Sequence, residues 1–487
     1  MSWQIKLLAL LLTALVPTVA LPAEGREGLS SSTLANGMEV FLVENHSVPL
    51  ARVQITFRTG SISQTPGTAG LFHLYEHMLF KGNAAHPTQS DLQAAMKELG
   101  VSDWNGGTSG ENVTYYFTVP ADRVDKGIQF WADAVRSPLL DPGELSTEKD
   151  VVVNEILGYL SDPGNIFGAA VQKALFWKYP WRKDVSGSEP LVRSATVQTL
   201  RAIHDTWYVP NNAALFVGGD VDPARVLAAV QKSFGDWPRA RDPWVPTPPP
   251  QEAPPKDLFL VYPDEQMYAG VAAASLSFRG PDVTRDPVST YAADVWGSLL
   301  DDPNGRFKSR IFAAVPGLYR KDYMNASYRT LRDGGYVSFS TLMVTDPNKD
   351  TFQRLLSLKK AFLGEMASIA SSPDYFVQKD FDVLVRQIGD QRVLERETVD
   401  GFISGLSDLW STASTAYYMG YDDALRRVGA KNIASFLSTY VLGPTSVLSV
   451  RMNPGDFARE KASAEKQGWA LVTKDNAYWW ADKGGAR

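Results

Sequence analysis

Residues 70–82 read GLFHLYEHMLFKG, and the spacing inside this stretch decides what the chain is built around. Leu74, Met78 and Leu79 give an apolar face, Thr68 and Gly70 precede it, and Gly82 can end it, which predicts a helix over 69–81. Residues three and four apart share a helix face, so His73 and His77 aim their imidazoles at one locus and Glu76 reaches the same space. The bland alternative is a helix with two surface histidines and a solvated glutamate. A catalytic zinc ordinarily takes three protein ligands plus water, so two imidazoles need a third partner. The chain has five histidines (His46, His73, His77, His86 and His204) and no cysteine, so a carboxylate is expected as that partner.

The segment 142–160 supplies candidates. Asp141-Pro142 followed by Glu144 is a helix N-terminal cap. Glu148 and Glu155 lie seven apart on one face, and Val151, Val152 and Ile156 surround Glu155 with apolar neighbours. A carboxylate embedded there is costly unless paired or bound to a cation, which makes Glu155 the expected third ligand and Glu148 a hydrogen-bonding partner behind the ligands. Read without the histidine motif, Glu155 is an ordinary exposed helix residue. With Glu155 as ligand, Glu76 is left free to take a proton from a zinc-activated water and pass it to a leaving amine.

The 487 residues suggest two to four domains, and 44% hydrophobic with 21% charged residues is the composition of a soluble globular chain. A net charge of −6 gives no electrostatic reason to expect nucleic acid as a partner. The absence of cysteine excludes disulfides, thiolate nucleophiles and Cys-based metal sites. Near the start, Lys6 precedes an apolar run, Leu7 to Ala20, that closes on the small residues Ala20 and Ala23. A short membrane anchor and a cleaved signal peptide over 1–23 both fit this pattern. Fourteen helical residues span only about 21 Å, short of a bilayer core, which favours the signal and a periplasmic or secreted product. No later stretch reads as a stable membrane span.

Eight prolines between Pro238 and Pro255 make 238–257 an extended linker, dividing the rest into 24–237 and 258–487. The halves read as divergent copies. VQITFRTG (53–60) begins the first and ASLSFRG (274–280) the second; placing Phe57 on Phe278 without gaps sets Asp294, Gly297 and Ser298 opposite His73, Glu76 and His77. The second repeat therefore keeps the scaffold and lacks the metal residues. Strands are expected over 38–43, 114–119, 214–217, 258–261, 336–340 and 446–450, and helices over 90–99, 123–137, 142–160 and 351–370. Strands and helices do not alternate one for one, so the fold class is α+β.

The order His-x-x-Glu-His resembles the pitrilysin family of inverzincin zinc peptidases, and within it the mitochondrial-processing-peptidase-like bacterial type. The likeness runs over nearly the whole chain after the signal segment. It is carried by GLFHLYEHMLFKG and by EKDVVVNEI (148–156), in which Glu155 follows His77 by 78 residues and Glu148 falls on the family's second acidic position. The resemblance implies two homologous α/β-layer repeats of the LuxS/processing-peptidase-like metallopeptidase fold, facing each other across the linker. It implies a Zn2+-dependent endopeptidase acting on peptides or unfolded polypeptides, with His73, His77 and Glu155 on the metal and Glu76 activating water. It also implies that Asn105-Gly106-Gly107-Thr108, with Thr114 and Tyr116, forms an edge strand to which substrate adds, Asn105 helping to hold the scissile region; an ordinary Asn-Gly turn is the alternative.

The second repeat departs from the family pattern. Many members carry an Arg and a Tyr seven residues apart that reach the substrate carbonyl. In SRIFAAVPGLYRKDYMNASY (309–328), Tyr323 falls on the tyrosine and Pro316 on the arginine, while Arg310 and Arg320 lack the spacing. This implies a hetero-oligomer with a same-fold subunit that carries the Arg/Tyr pair, or a homodimer. The alternative to an enzyme is a non-catalytic assembly or peptide-binding subunit of a complex.

Overall fold

VQITFRTG (53–60) reads as a strand alternating between core and solvent, but the strand that contains its first half, Leu50–Phe57, is buried on both faces from Ala51 onward. The reason is a helix on each side of it. On one face, the helix Val124–Arg136 packs Trp131 against Phe117 and donates its indole N–H to the carbonyl of Val53 at 3.2 Å. On the other face, the polar side chains of Arg52, Gln54 and Thr56 form a hydrogen-bonded ladder that continues to Thr114, with Arg52 paired to Asp400 of a helix from the second repeat, Val399–Thr412. Buried polar groups of this kind are stable because each finds a partner.

The computed structural model describes residues 23–24, 28–245, 247–302, 305–376 and 378–481. The signal segment expected over 1–23 lies outside them, apart from Ala23. Among the described residues there are two sheets. The first comprises β1 (Ala23–Glu24), β2 (Leu29–Thr33), β3 (Glu39–Glu44), β4 (Leu50–Phe57), β5 (Asp103–Thr108), β6 (Val113–Pro120) and β7 (Ala213–Gly219), in the order β1-β2-β3-β7-β4-β6-β5. The second comprises β8 (Leu258–Pro263), β9 (Val271–Arg279), β10 (Asn325–Arg329), β11 (Tyr336–Val344), β12 (Ser446–Met452) and β13 (Ala470–Leu471), in the order β10-β11-β9-β12-β8-β13.

Five strands of each sheet match in order, β3-β7-β4-β6-β5 with β8-β12-β9-β11-β10. β3 runs parallel to β7 as β8 does to β12, and β4 lies antiparallel between β7 and β6 as β9 does between β12 and β11. Phe57 pairs with Ala213 and Val113, and Phe278 pairs with Ser446 and Val337, at the same ends of matching strands. Asp294, set opposite His73 by this register, is half-buried on the helix Pro287–Asp301 and accepts a hydrogen bond from the Tyr421 hydroxyl at 2.7 Å.

Each repeat also lends a helix to the other's sheet. Val399–Thr412 places Phe402, Ile403, Leu406 and Trp410 against Phe41 and Phe216 of the first sheet. Pro163–Leu175 packs Ile166 and Ala170 with Tyr262 and Tyr478, and Leu175 with Val447, on the second. At the seam, Arg182 and Arg285 meet Asp333 at 3.4 and 2.9 Å, and the backbone N–H of Gln251 in the proline-rich segment donates to the same carboxylate at 3.1 Å.

Two acids, buried Glu111 and half-buried Asp294, carry a pH dependence. Burial pushes the carboxyl of Glu111, in the turn between β5 and β6, up to about 7 against the pull of Lys183 and Arg332, and burial pushes Asp294 up to about 7 against the Tyr421 hydrogen bond. Both acids ionise at lower pH in the unfolded chain, so their contribution to stability is fully present below the unfolded pKa and is lost as pH rises through 7. Glu111→Gln and Asp294→Asn are expected to gain on the parent in denaturant-unfolding free energy as pH goes from 5 to 8, each by on the order of 3 kcal/mol. Parallel profiles would contradict this.

Candidate metal centre

The histidine helix spans Leu71–Leu79 and buries Phe72, Leu74, Tyr75 and Met78 in the first core, leaving His73, Glu76 and His77 on the side facing away from it. Its start is fixed by Gly70, which sits at φ 84° and donates its N–H to Gln64 Oε1 at 2.7 Å. A side chain there would bring its Cβ within 2.4 Å of the Ser186 carbonyl oxygen, so glycine is required by conformation and by space. Opposite lies the glutamate helix, Pro142–Ser161, started by Asp141, whose carboxylate accepts from the backbone N–H groups of Gly143 and Glu144. The two helices pack against each other, and β5 lies along the histidine helix.

Three side chains converge. His73 Nε2 and His77 Nε2 are 3.2 Å apart, and Glu155 Oε2 is 3.6 Å from each. Zinc bonds of 2.0–2.2 Å in tetrahedral geometry put ligand atoms about 3.4 Å apart, so this triangle fits one such ion. Burial, reinforced by the neighbouring His77, depresses His73 to about 4 and leaves it a neutral donor at neutral pH. Burial also lowers His77, but the hydrogen bond to Glu148 and the Glu155 and Glu76 carboxylates outweigh it and raise its pKa. His77 Nδ1 meets Glu148 Oε1 at 3.2 Å, and Lys81 Nζ meets Glu148 Oε2 at 2.5 Å. This places a carboxylate behind the ligand, where it fixes the ring and directs Nε2 into the cluster. The other histidines are engaged elsewhere: His46 with Asp220, His86 against Phe130, His204 with the Val135 carbonyl.

One expectation needs correction. Glu155 is not embedded among apolar neighbours: its side chain is 49% exposed and Val151 is exposed too, whereas Glu148 is 4% exposed. Val152 and Ile156 turn inward and Glu155 outward, toward the histidines. The buried member of the pair is the outer carboxylate, balanced by His77 and Lys81.

Glu76 approaches the same space without joining the triangle. Burial raises its pKa, against a hydrogen bond from Thr108 Oγ1 to Oε2 at 2.8 Å. Thr108 and Lys81 carry roles that sequence reasoning missed. Lys81 had a signal, standing four residues after His77 on the same face. Thr108 had none, because its contact depends on how β5 lies beside the helix.

Asn105 lies on β5, the edge of the first sheet, paired with Tyr116 of β6; its Oδ1 accepts from the N–H of Gly106. The Asn-Gly turn is thus replaced by an edge strand. Tyr323 is exposed in the second repeat, packed against Tyr319, and among the described residues no hydrogen bond or ion pair links it to the metal-site residues. Arg310 is paired with Glu365 and Arg320 with Asp322, so both are engaged within the second repeat.

With this geometry in hand, comparison with known proteins gives two family matches. Residues 39–187 match the insulinase (peptidase family M16) model and 194–388 the peptidase M16 inactive-domain model. An uncharacterized zinc protease of Mycobacterium leprae (strain TN) is 29% identical over 208 residues, 43% of this chain and 46% of that protein. The chain thus spans about half the length of the curated relatives it matches. Among solved structures, a protease from Helicobacter pylori superposes with a TM-score of 0.71 at 18% identity, covering 88% of this chain and all of the other. The first half of the periplasmic protease PqqL from Escherichia coli gives 0.71 at 16% identity, covering 92% and 97%. These likenesses establish the fold.

Proposed function

Because the chain belongs to peptidase family M16, the insulinase and pitrilysin family, we propose that it is a zinc-dependent endopeptidase acting on peptides or unfolded polypeptides. The observation that carries this reading is the convergence of His73, His77 and Glu155 on one locus with Glu76 beside it and outside it. Relatives named as zinc proteases support zinc as the ion. When bound, zinc supplies Lewis acidity to the peptide carbonyl and to water.

The remaining work falls to side chains of this chain. Glu76 takes the proton of the attacking water and delivers it to the departing amine. Its raised pKa suits both duties, and Thr108 holds one of its oxygens so that the other faces the reacting atoms. Glu148 and Lys81 hold His77 in orientation. The free edge of β5 offers backbone groups to an extended peptide, which orders the scissile bond before the metal, with Asn105 beside it. An opening segment with signal-peptide character supports a periplasmic or secreted site of action, and no helix among the described residues is long and apolar enough to cross a membrane.

A second reading, a non-catalytic assembly or peptide-binding subunit, is favoured by the engagement of Arg310 with Glu365 and of Arg320 with Asp322, given that the family resemblance puts Pro316 at the position where many members carry an arginine. A same-fold partner that donates an Arg/Tyr pair reconciles the two. The purified chain alone is expected to bind zinc and to cleave an unfolded peptide poorly, with cleavage rising at least tenfold when the partner co-purified from the host is added. Full activity of the isolated chain would remove the need for a partner. Zinc binding without cleavage, alone or combined, would favour the assembly role.

A further inference from the structure

The chain has three Asn-Gly pairs. The asparagine of one, Asn304, lies outside the described residues, and the fold treats the other two in opposite ways. An asparagine followed by glycine is open to self-reaction, because no side chain on the second residue shields its backbone nitrogen from the amide carbon of the first. Asn36-Gly37 is locked against this. Asn36 is 7% exposed, its amide nitrogen donates to the carbonyls of Phe234 and Trp237 at 2.8 and 3.0 Å, and its Oδ1 accepts from the Met38 N–H at 3.1 Å. The Gly37 N–H is engaged by the Leu34 carbonyl at 2.9 Å. Neither reacting atom reaches the other unless the turn opens.

Asn105-Gly106 has no such restraint. It lies on β5, the outermost strand of the first sheet, which is bonded on one side only. Asn105 is exposed, and among the described residues no hydrogen bond holds its amide nitrogen. Its Oδ1 accepts from the Gly106 N–H at 2.9 Å, which sets the backbone nitrogen beside the amide carbon. Glycine at 106 is imposed by packing, since a Cβ there would come within 2.7 Å of the Phe80 ring at the end of the histidine helix. The contact that lays β5 along that helix therefore also keeps glycine next to Asn105.

We propose that Asn105 is a self-modification site. The Gly106 nitrogen bonds to Asn105 Cγ and gives up its proton, the amide leaves as ammonia, and a succinimide closes. Water then opens the ring at either carbonyl, giving aspartate or isoaspartate. In isoaspartate the main chain runs through the former side chain and is one carbon longer. Residues 106–108 then fall out of register with β6, and Thr108 is drawn away from Glu76. The edge offered to an extended peptide is lost with the register, so the modification limits the working life of the peptide site. That consequence rests on the endopeptidase reading, and the modification itself does not.

The test incubates folded, zinc-loaded protein at mildly alkaline pH beside a sample in denaturant. Mass spectrometry follows the exchange of –NH2 for –OH in peptides spanning Asn36 and Asn105, and enzymatic methylation reads isoaspartate. Asn105 is expected to convert faster than Asn36 by on the order of tenfold or more in the folded protein, and the two rates to converge in denaturant, where the fold no longer separates them. Equal folded rates, or an unconverted Asn105 while the denatured sample converts, would overturn the site. Affinity for a labelled unfolded peptide, read by fluorescence anisotropy, should decline in step with isoaspartate at 105. It should hold steady over the same incubation in Asn105→Gln, whose longer side chain closes the ring poorly. Loss at the parental rate in that variant, or undiminished affinity in converted protein, would overturn the consequence. Rapid conversion at Asn105 in a protein that binds the peptide and cleaves none would leave the modification standing and sink the catalytic reading.

Discussion

Glu76→Gln is expected to keep its zinc and to lose peptide cleavage by about 10²–10⁴-fold, the usual contribution of a positioned acid–base group. The substitution is nearly isosteric. The new amide oxygen still accepts the Thr108 hydroxyl, so the side chain keeps its place beside the triangle. What disappears is the ability to hold a proton taken from water. Metal analysis together with cleavage of an unfolded peptide checks this. Loss of zinc along with activity would make Glu76 a ligand, and unchanged turnover would remove it from the reaction.

The second large effect is expected at His77, the side chain with the most connections in the site. It faces His73 and Glu155 on one nitrogen and Glu148 on the other. His77→Ala removes a ligand and leaves the buried Glu148 paired with Lys81 alone. Zinc affinity should fall by more than the 10–100-fold typical of losing an outer hydrogen-bonding partner, and cleavage should fall with it to background. Equilibrium dialysis against a competing chelator reads the affinity directly. Parental affinity in His77→Ala would place the ion elsewhere.

Both effects trace to features legible in the sequence, because they depend on local periodicity. A four-residue spacing fixes two imidazoles on one face whatever the tertiary fold, and the seven-residue spacing of Glu148 and Glu155 puts both within reach of His77. The repeat was legible through FRTG and FRG because those strands end at the same register of matching sheets. What sequence did not reveal depends on packing between distant segments. The burial assigned to Glu155 belongs to Glu148, since flanking apolar residues do not say which way a helix is rotated. Buried 53–57 looked half-exposed because its second cover, Val399–Thr412, comes from the other repeat. Thr108 meets Glu76 across 32 residues through the placement of an edge strand, which no spacing rule encodes.

Zinc-edge anomalous diffraction from crystals of the zinc-loaded protein tests the central claim most directly. The converging side chains predict a single strong peak with His73 Nε2, His77 Nε2 and a Glu155 oxygen at about 2.0–2.2 Å, and with Glu76 outside bonding distance. A peak away from these three residues, or none in protein that turns over peptide, would contradict it.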